Sequence, residues 1–272
     1  MGDQAIESKY VLAATGRETE EHARLDLLQQ IFDPTTEKRL DLVQPGWRCL
    51  EAGAGRGSIA RFLSEKVGAT GEVIAADIDL NPSAGVELPN GRFLKHNILV
   101  DSLTPLGGPG SFDLVHARFL LQHIYDHEDL AIQRMVELLK PGGWLVIEDL
   151  EAATMGAADP HHNLSEGYDQ VIAGSVAAMR ASRAVDPMPG RALLPRFHHA
   201  GLTELRHEAF LYIDRGGSPL ARWYVQSTEG SRKSYDDAGY HQAIDLTLNA
   251  LRDPDFWFQS GAFHCAWGRK PA

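Results

Sequence analysis

Apolar side chains along the chain follow two rhythms. Between residues 47 and 150, short and nearly unbroken apolar runs alternate with stretches of helical spacing. WRCLEAG, EVIAADID, RFLKHNI, SFDLVHARF and GWLVIEDL are the runs. Each has the length and character of a strand buried on both faces. GSIARFLSEKV and DHEDLAIQRMVELLK carry apolar residues three and four apart, as amphipathic helices do. This alternation predicts a parallel sheet covered by helices on both faces. Ahead of it, ETEEHARLDLLQQI predicts a helix ending near Phe32, before Pro34, with a short helix over 35–43. The Asn81-Pro82 and Asn90-Gly91 turns leave room for only a helical turn or two between them.

Past residue 152 the rhythm changes. Residues 153–190 are rich in Ala, Gly, Asp and His, and EGYDQVIAGSVAAMRAS within them has helical spacing. GRALLPRFHHAG reads as a helix ended by Gly201. TELRHEAFLYI and FWFQSGAFHCAWGRK read as the last two strands, with a helical insert over 214–253 between them. Two strands joined by such an insert suit an antiparallel sheet edge.

The composition, 43% apolar and 23% charged, is that of a globular protein. The net charge of −11 argues against a nucleic-acid partner, because phosphate binding needs clustered Lys and Arg. The opening MGDQAIESKY lacks an apolar signal core, and Ile6 stands where myristoylation wants Ser or Thr. No apolar stretch approaches roughly 18 residues, so no membrane span is expected. Cys49 and Cys265 both fall in predicted buried strands and read as reduced core thiols, which suits a cytoplasmic location.

The chemistry starts where the first run ends, at CLEAGAGRGSIARFL. Glycines stand at 53, 55 and 57, directly before a helix. A dinucleotide fingerprint would place its third glycine at 58, which is Ser here, and a Walker loop needs a Lys that is absent. A tight turn that binds nothing is the plain alternative. Against it, three glycines in five residues cost chain entropy unless something uses them. Asp77, twenty-six residues after Glu51, ends the second strand, where an acid can accept hydrogen bonds from a ribose diol. A nucleoside-containing ligand follows from this placement.

LEAGAGRGSIARFL, VIAADID, KHNI, FDLVHARFLLQHIYDHEDL and LLKPGGWLVIEDL, in this order and spacing, resemble the class I S-adenosylmethionine-dependent methyltransferase family over residues 45–150. KYVLAATGRETEEHARLDLLQQIFDP resembles the N-terminal lid of its small-molecule members, with Ala13 in place of a glycine. The resemblance implies a doubly wound, Rossmann-like α/β fold with a seven-stranded, mostly parallel sheet. The implied order is 3-2-1-4-5-7-6, with the last strand antiparallel. Residues 1–44 would be a helical lid and 45–152 the cofactor-binding core. Residues 153–272 would complete the sheet and add inserts, near 153–190 and 214–253, that cap the acceptor, all within one structural domain. The implied cofactor is S-adenosyl-L-methionine, with S-adenosyl-L-homocysteine as product. Gly53, Gly55 and Gly57 would lie against its methionine portion and Glu51 would hold the amino end. Asp77 would take the ribose hydroxyls and Ile78 would pack on the adenine. Asn97, with Ile98 beside it, stands where the family has an Asp that contacts the adenine amino group. Ala117 and Arg118 would line the methionine end, and Tyr10 would close over it.

Methyl transfer is an in-line displacement, so alignment supplies most of the catalysis, on the order of 7–11 kcal/mol. A hydroxyl acceptor also needs a base, worth roughly 10² to 10⁴ in rate. His123, Glu148 and Asp149 follow the fourth strand or end the fifth and are the candidates; His161 and His162 lie in the insert. As alternatives, His123 could cap or pack, and one of the two acids could face the helix layer. His123 and His127 stand four apart, but YDHEDL reads as a helix start rather than as a metal site, so no metal is expected. Trp223 and Tyr224 are candidates for packing a flat acceptor, or for ordinary core.

The expected activity is methyl transfer to an oxygen, nitrogen or carbon of a small, partly apolar molecule of natural-product type. The rivals are a non-methylating enzyme on the same fold, such as one guiding a cyclisation, and a non-catalytic cofactor-binding protein. A monomer and a homodimer both fit the sequence.

Overall fold

A computed structural model describes residues 18–183, 185–230, 232 and 241–272; Tyr10 lies outside the described residues. The chain runs α1 (Glu18–Arg39), β1 (Arg48–Ala52), α2 (Ser58–Val67), β2 (Glu72–Asp77), β3 (Gly91–Lys95), β4 (Phe112–Arg118), α3 (Glu128–Leu138) and β5 (Leu139–Glu151). Then come β6 (Gly156–Ala157), α4 (Ser165–Ser182), α5 (Leu193–His199), β7 (Thr203–Phe210), β8 (Ile213–Arg215), α6 (Pro219–Gly230), α7 (His241–Arg252), β9 (Trp257–Gln259) and β10 (Ala262–Arg269).

Seven strands form one sheet in the order β3-β2-β1-β4-β5-β10-β7. With β7 and β10 counted as the sixth and seventh strands, this is the expected order. β10 is antiparallel to both neighbours and the other pairs are parallel. The strand order reverses between β1 and β4, so a crevice opens beyond their carboxyl ends, where open α/β sheets bind ligands. Leu50, Ala52, Val115, Ala117 and Ile147 bury one face of the sheet with Ala131, Ile132 and Met135 of α3. Cys49, Val73, Ala75, Leu114 and Val146 bury the other with Ile59, Leu63 and Val67 of α2. Both thiols are free and buried, as expected of core cysteines. No described helix is long and apolar enough to cross a membrane.

Two of the differences from the sequence expectation bear on the core. The first is α1, which runs unbroken from Glu18 to Arg39 with Pro34 inside it. An interior proline costs about 3 kcal/mol in hydrogen bonding and steric clash. Tertiary contacts on both sides of Pro34 offset that. Asp33 pairs with Arg118, Thr36 donates to Glu148, Arg39 pairs with Glu148, and Phe32 is buried. The second is the last run, which splits into β9 and β10 at Ser260-Gly261. A side chain on Gly261 would come within 2.7 Å of Leu150. β9 leaves the main sheet and pairs with β6 and β8 in a separate three-stranded sheet.

Candidate functional site

The turn after β1 holds Gly53, Gly55 and Gly57 at φ of +77°, +51° and +81°. Side-chain-bearing L-residues pay roughly 1–2 kcal/mol each to adopt this left-handed region. The three glycines face different neighbours. A β-carbon on Gly57 would fall 2.6 Å from the Phe93 ring, and one on Gly53 would fall 3.3 Å from Leu120. A β-carbon on Gly55 would meet nothing within 4 Å. Gly57 therefore keeps helix and sheet close, while Gly55 leaves free space above the turn.

Asp77 fixes the shape of this turn. Its Oδ2 accepts the Gly55 N–H at 2.9 Å and its Oδ1 accepts the Asp79 N–H at 3.1 Å. Burial pushes its carboxyl up, against those two donors. One carboxylate at the end of β2 thus holds the turn that follows β1.

The crevice is a cavity of about 260 Å³. Glu51, Gly53, Gly55, Asp77, Ile78, Asn97, Ile98, Arg118 and His123 line it. Gly57, Ala117, Glu148 and Asp149 are not among its lining residues. Ala117 is fully buried in the core. Near β3, the Asn97 side-chain oxygen accepts the Leu99 N–H at 2.9 Å. Its neighbour His96, which the sequence reading passed over, also lines the cavity. His96 is 4% exposed, its Nε2 has no hydrogen-bond partner among the described residues, and burial lowers its pKa.

Behind the wall that Glu51 and Arg118 line lies a buried charged row. Glu51 and His116 are register neighbours on β1 and β4, and Arg118 and Glu148 are neighbours on β4 and β5. All four therefore share one face of the sheet, the face that α1 covers. Glu51 Oε2 lies 2.6 Å from His116 Nδ1, and Glu148 Oε1 lies 3.6 Å from His116 Nε2. Glu148 Oε2 accepts from Thr36 and from Arg39, each at 3.0 Å. Arg118 donates to Thr36 and Asp33. Burial alone would lower the His116 pKa, but the two carboxylates raise it to about 9. Burial raises Glu51 despite the imidazole, while His116 and Arg39 hold Glu148 below the usual carboxylate range. A proton therefore stays in the Glu51–His116 contact at neutral pH. The signal for this row was the polar residues Glu51, His116, Arg118 and Glu148 inside otherwise apolar strand runs.

The opposite wall comes from distant segments. Leu25 and Leu28 of α1, Phe119 and Leu120 after β4, and Trp223 of α6 line it. Phe119 sits at φ +54°, with its N–H donated to the Glu148 carbonyl. Phe32, Phe119, Trp223 and Phe263 form one aromatic cluster, with Phe32 centred 5.2 Å from Phe119 and 5.5 Å from Trp223. His123 closes a 3₁₀ turn over Leu121–His123. Burial, with Arg24 nearby, pushes it down to about 4, so its imidazole is neutral at physiological pH. Asp149 anchors this turn from below: Oδ2 accepts the Leu121 N–H at 2.8 Å and Oδ1 accepts the Leu150 N–H at 2.9 Å. Burial raises the Asp149 carboxyl to about 7 against those bonds. His162 contacts Asp253 at 3.5 Å, and His161 is exposed; neither lines the cavity. Glu128 and Asp129 open α3 directly after His127, as a helix start predicts. Among the described residues, no group of three His, Cys, Asp or Glu is arranged to hold a metal ion.

A family model described as a methyltransferase domain matches residues 17–207. Two methyltransferases of Strobilurus tenacellus are similar. One, str3, is 36% identical over 155 residues, covering 56% of this chain and 52% of that protein. The other, str2, is 33% identical over 197 residues, covering 71% of this chain and 66% of that protein. The chain thus spans between about half and two thirds of the length of these curated relatives. Among solved structures, the YcgJ protein of Bacillus subtilis superposes with a TM-score of 0.58 at 17% identity, over 88% of this chain and 97% of that one, a likeness of fold.

Proposed function

Because the chain belongs to the class I S-adenosylmethionine-dependent methyltransferase family, we propose that it moves a methyl group from S-adenosyl-L-methionine to an oxygen, nitrogen or carbon nucleophile of a small, partly apolar acceptor. The observation that carries this reading is the Gly55–Asp77 bond, which holds a glycine-rich turn at the strand-order switch, with open space above Gly55. Three features fit the cofactor. Gly55 leaves a cradle that a β-carbon would occupy, Asp77 presents a carboxylate, and His96 lines the cavity beside Asn97. Bound, the cofactor supplies an electrophilic methyl on sulfonium and leaves as S-adenosyl-L-homocysteine.

The chain's own residues bind and align. Glu51, oriented by His116, takes the amino group at the methionine end, where Arg118 also lies. Asp77 takes the ribose hydroxyls. Ile78 and Ile98 pack on the adenine, and His96 shares its polar edge with Asn97, whose oxygen already serves Leu99. Tyr10 closes over the methionine end from the N-terminal segment. Neutral His123 is the group placed to accept a proton from the acceptor nucleophile. Glu148 and Asp149 act through others, Glu148 by securing α1 and Asp149 by securing the turn that carries His123.

The test is incubation with S-adenosyl-L-methionine and a panel of small hydroxyl, amine and activated-carbon acceptors. Release of S-adenosyl-L-homocysteine, matched by a methylated product, is expected. Tight cofactor binding with no methylated product from any of them would contradict methyl transfer.

A further inference from the structure

Arg134 sits on α3 and is not among the residues that line the cavity. Its side chain reaches the turn that follows β3, where Nε donates to the Ile98 carbonyl and Nη2 to the Asp101 carbonyl. That turn forms part of the cavity wall, through His96, Asn97, Ile98 and Leu99. The Leu99 N–H, in turn, donates to Asn97 Oδ1 at 2.9 Å. The Ile98 carbonyl and the Leu99 N–H belong to one planar peptide unit and point opposite ways. Arg134 and the Asn97 amide therefore grip the same unit from its two ends, and the tilt of that unit sets the tilt of the amide. Asp101 closes the turn: its Oδ2 accepts the Asn97 N–H at 2.8 Å and its own N–H donates to the Asn97 carbonyl at 3.0 Å. The Leu99 N–H needs an acceptor, so the oxygen of the Asn97 amide is committed there and its NH₂ forms the other end. An amide with both ends fixed distinguishes one hydrogen-bonding edge from its reverse. The Arg134 charge also reaches this wall, adding to burial in lowering the His96 pKa, against Asp101.

We propose that Arg134 is a positioning residue for nucleobase recognition: by holding the Ile98–Leu99 peptide unit it fixes the Asn97 amide, so that the site favours adenine over a base whose donor and acceptor are exchanged. This rests on the proposed function, because it takes the wall over residues 96–99 as the one that meets the cofactor's base.

The test compares S-adenosyl-L-homocysteine with its inosine analogue, in which a carbonyl replaces the amino group of the base, by calorimetric titration into the full chain. The wild type should bind the adenine compound about tenfold more tightly, the order of one or two hydrogen bonds. Arg134→Met, with its helix content checked by circular dichroism, should lower that ratio to about twofold. A merely structural turn would weaken both ligands equally, so a wild-type ratio in Arg134→Met overturns the proposal. If Arg134→Met does not fold, Arg134→Lys decides. An ammonium lacks the rigid fork that spans the two carbonyls, so the ratio should again fall, and a wild-type ratio overturns the proposal. A wild type that binds both compounds equally overturns this proposal alone. A wild type that does not bind S-adenosyl-L-homocysteine at all overturns the proposed function, and this proposal with it.

Discussion

The two walls of the cavity are built by different means. The wall proposed to hold the cofactor comes from residues 51–98 and is held mainly by the main chain: Gly55 N–H on Asp77, Gly53 and Ala54 N–H on the Ala76 carbonyl. Its shape depends on backbone conformations that tolerate few substitutions. The wall proposed to meet the acceptor draws on residues near 25, 120 and 223 and is held by side-chain packing. Such a wall can be re-surfaced one residue at a time. Between the walls lies the Glu51–His116–Glu148 row, which ties the Glu51 side of the cavity to α1, the helix that lines the opposite wall.

The largest expected effect falls on that tie. His116→Ala leaves Glu51 and Glu148 without their shared cation in the core, a loss of about 3–5 kcal/mol read by denaturant unfolding. The wild type carries a matching pH signature. The folded-state pKa of His116, about 9, lies above the 6.5 of a free imidazole. Its contribution is therefore complete below pH 6.5 and is lost as pH rises through about 9, on the order of 3 kcal/mol in all. Unfolding curves from pH 6 to 10 check this. A wild-type stability that stays flat over that range would separate the two walls and break the comparison.

Asp77→Ala comes next. It removes the latch of the backbone wall together with the proposed ribose partner. The affinity for S-adenosyl-L-homocysteine should fall on the order of 10²-fold, as for one or two hydrogen bonds to a charged group. The binding of small acceptors should change little. His123→Ala should leave cofactor affinity intact and lower kcat by about 10²-fold for a hydroxyl acceptor. Because His123 is held down to about 4, the wild-type rate should show no inflection near pH 6.5 and should fall only as pH approaches 4.

The same contrast governs how much the sequence discloses. The parallel strands, their order and the glycine turn were legible because the signals are local: apolar runs, turn residues and a spacing of twenty-six between Glu51 and Asp77. The continuity of α1 through Pro34 was not, because its reasons sit 85 and 112 residues away, at Arg118 and Glu148. The split at Gly261 was hidden for a similar reason, since only the approach of Leu150 shows that no side chain fits there. His116 left a visible trace, a lone imidazole in an apolar strand, but its meaning depends on which strand lies beside it. His96 left none, because an unpaired buried nitrogen is a property of the assembled wall.

The most direct measurement is a calorimetric titration of S-adenosyl-L-homocysteine into the wild-type protein and into Gly55→Val, with circular dichroism to confirm that both are folded. The account predicts one-to-one binding to the wild type and none to the variant, whose side chain would occupy the space above the turn. Absence of binding to the folded wild type, or undiminished binding to Gly55→Val, would contradict it.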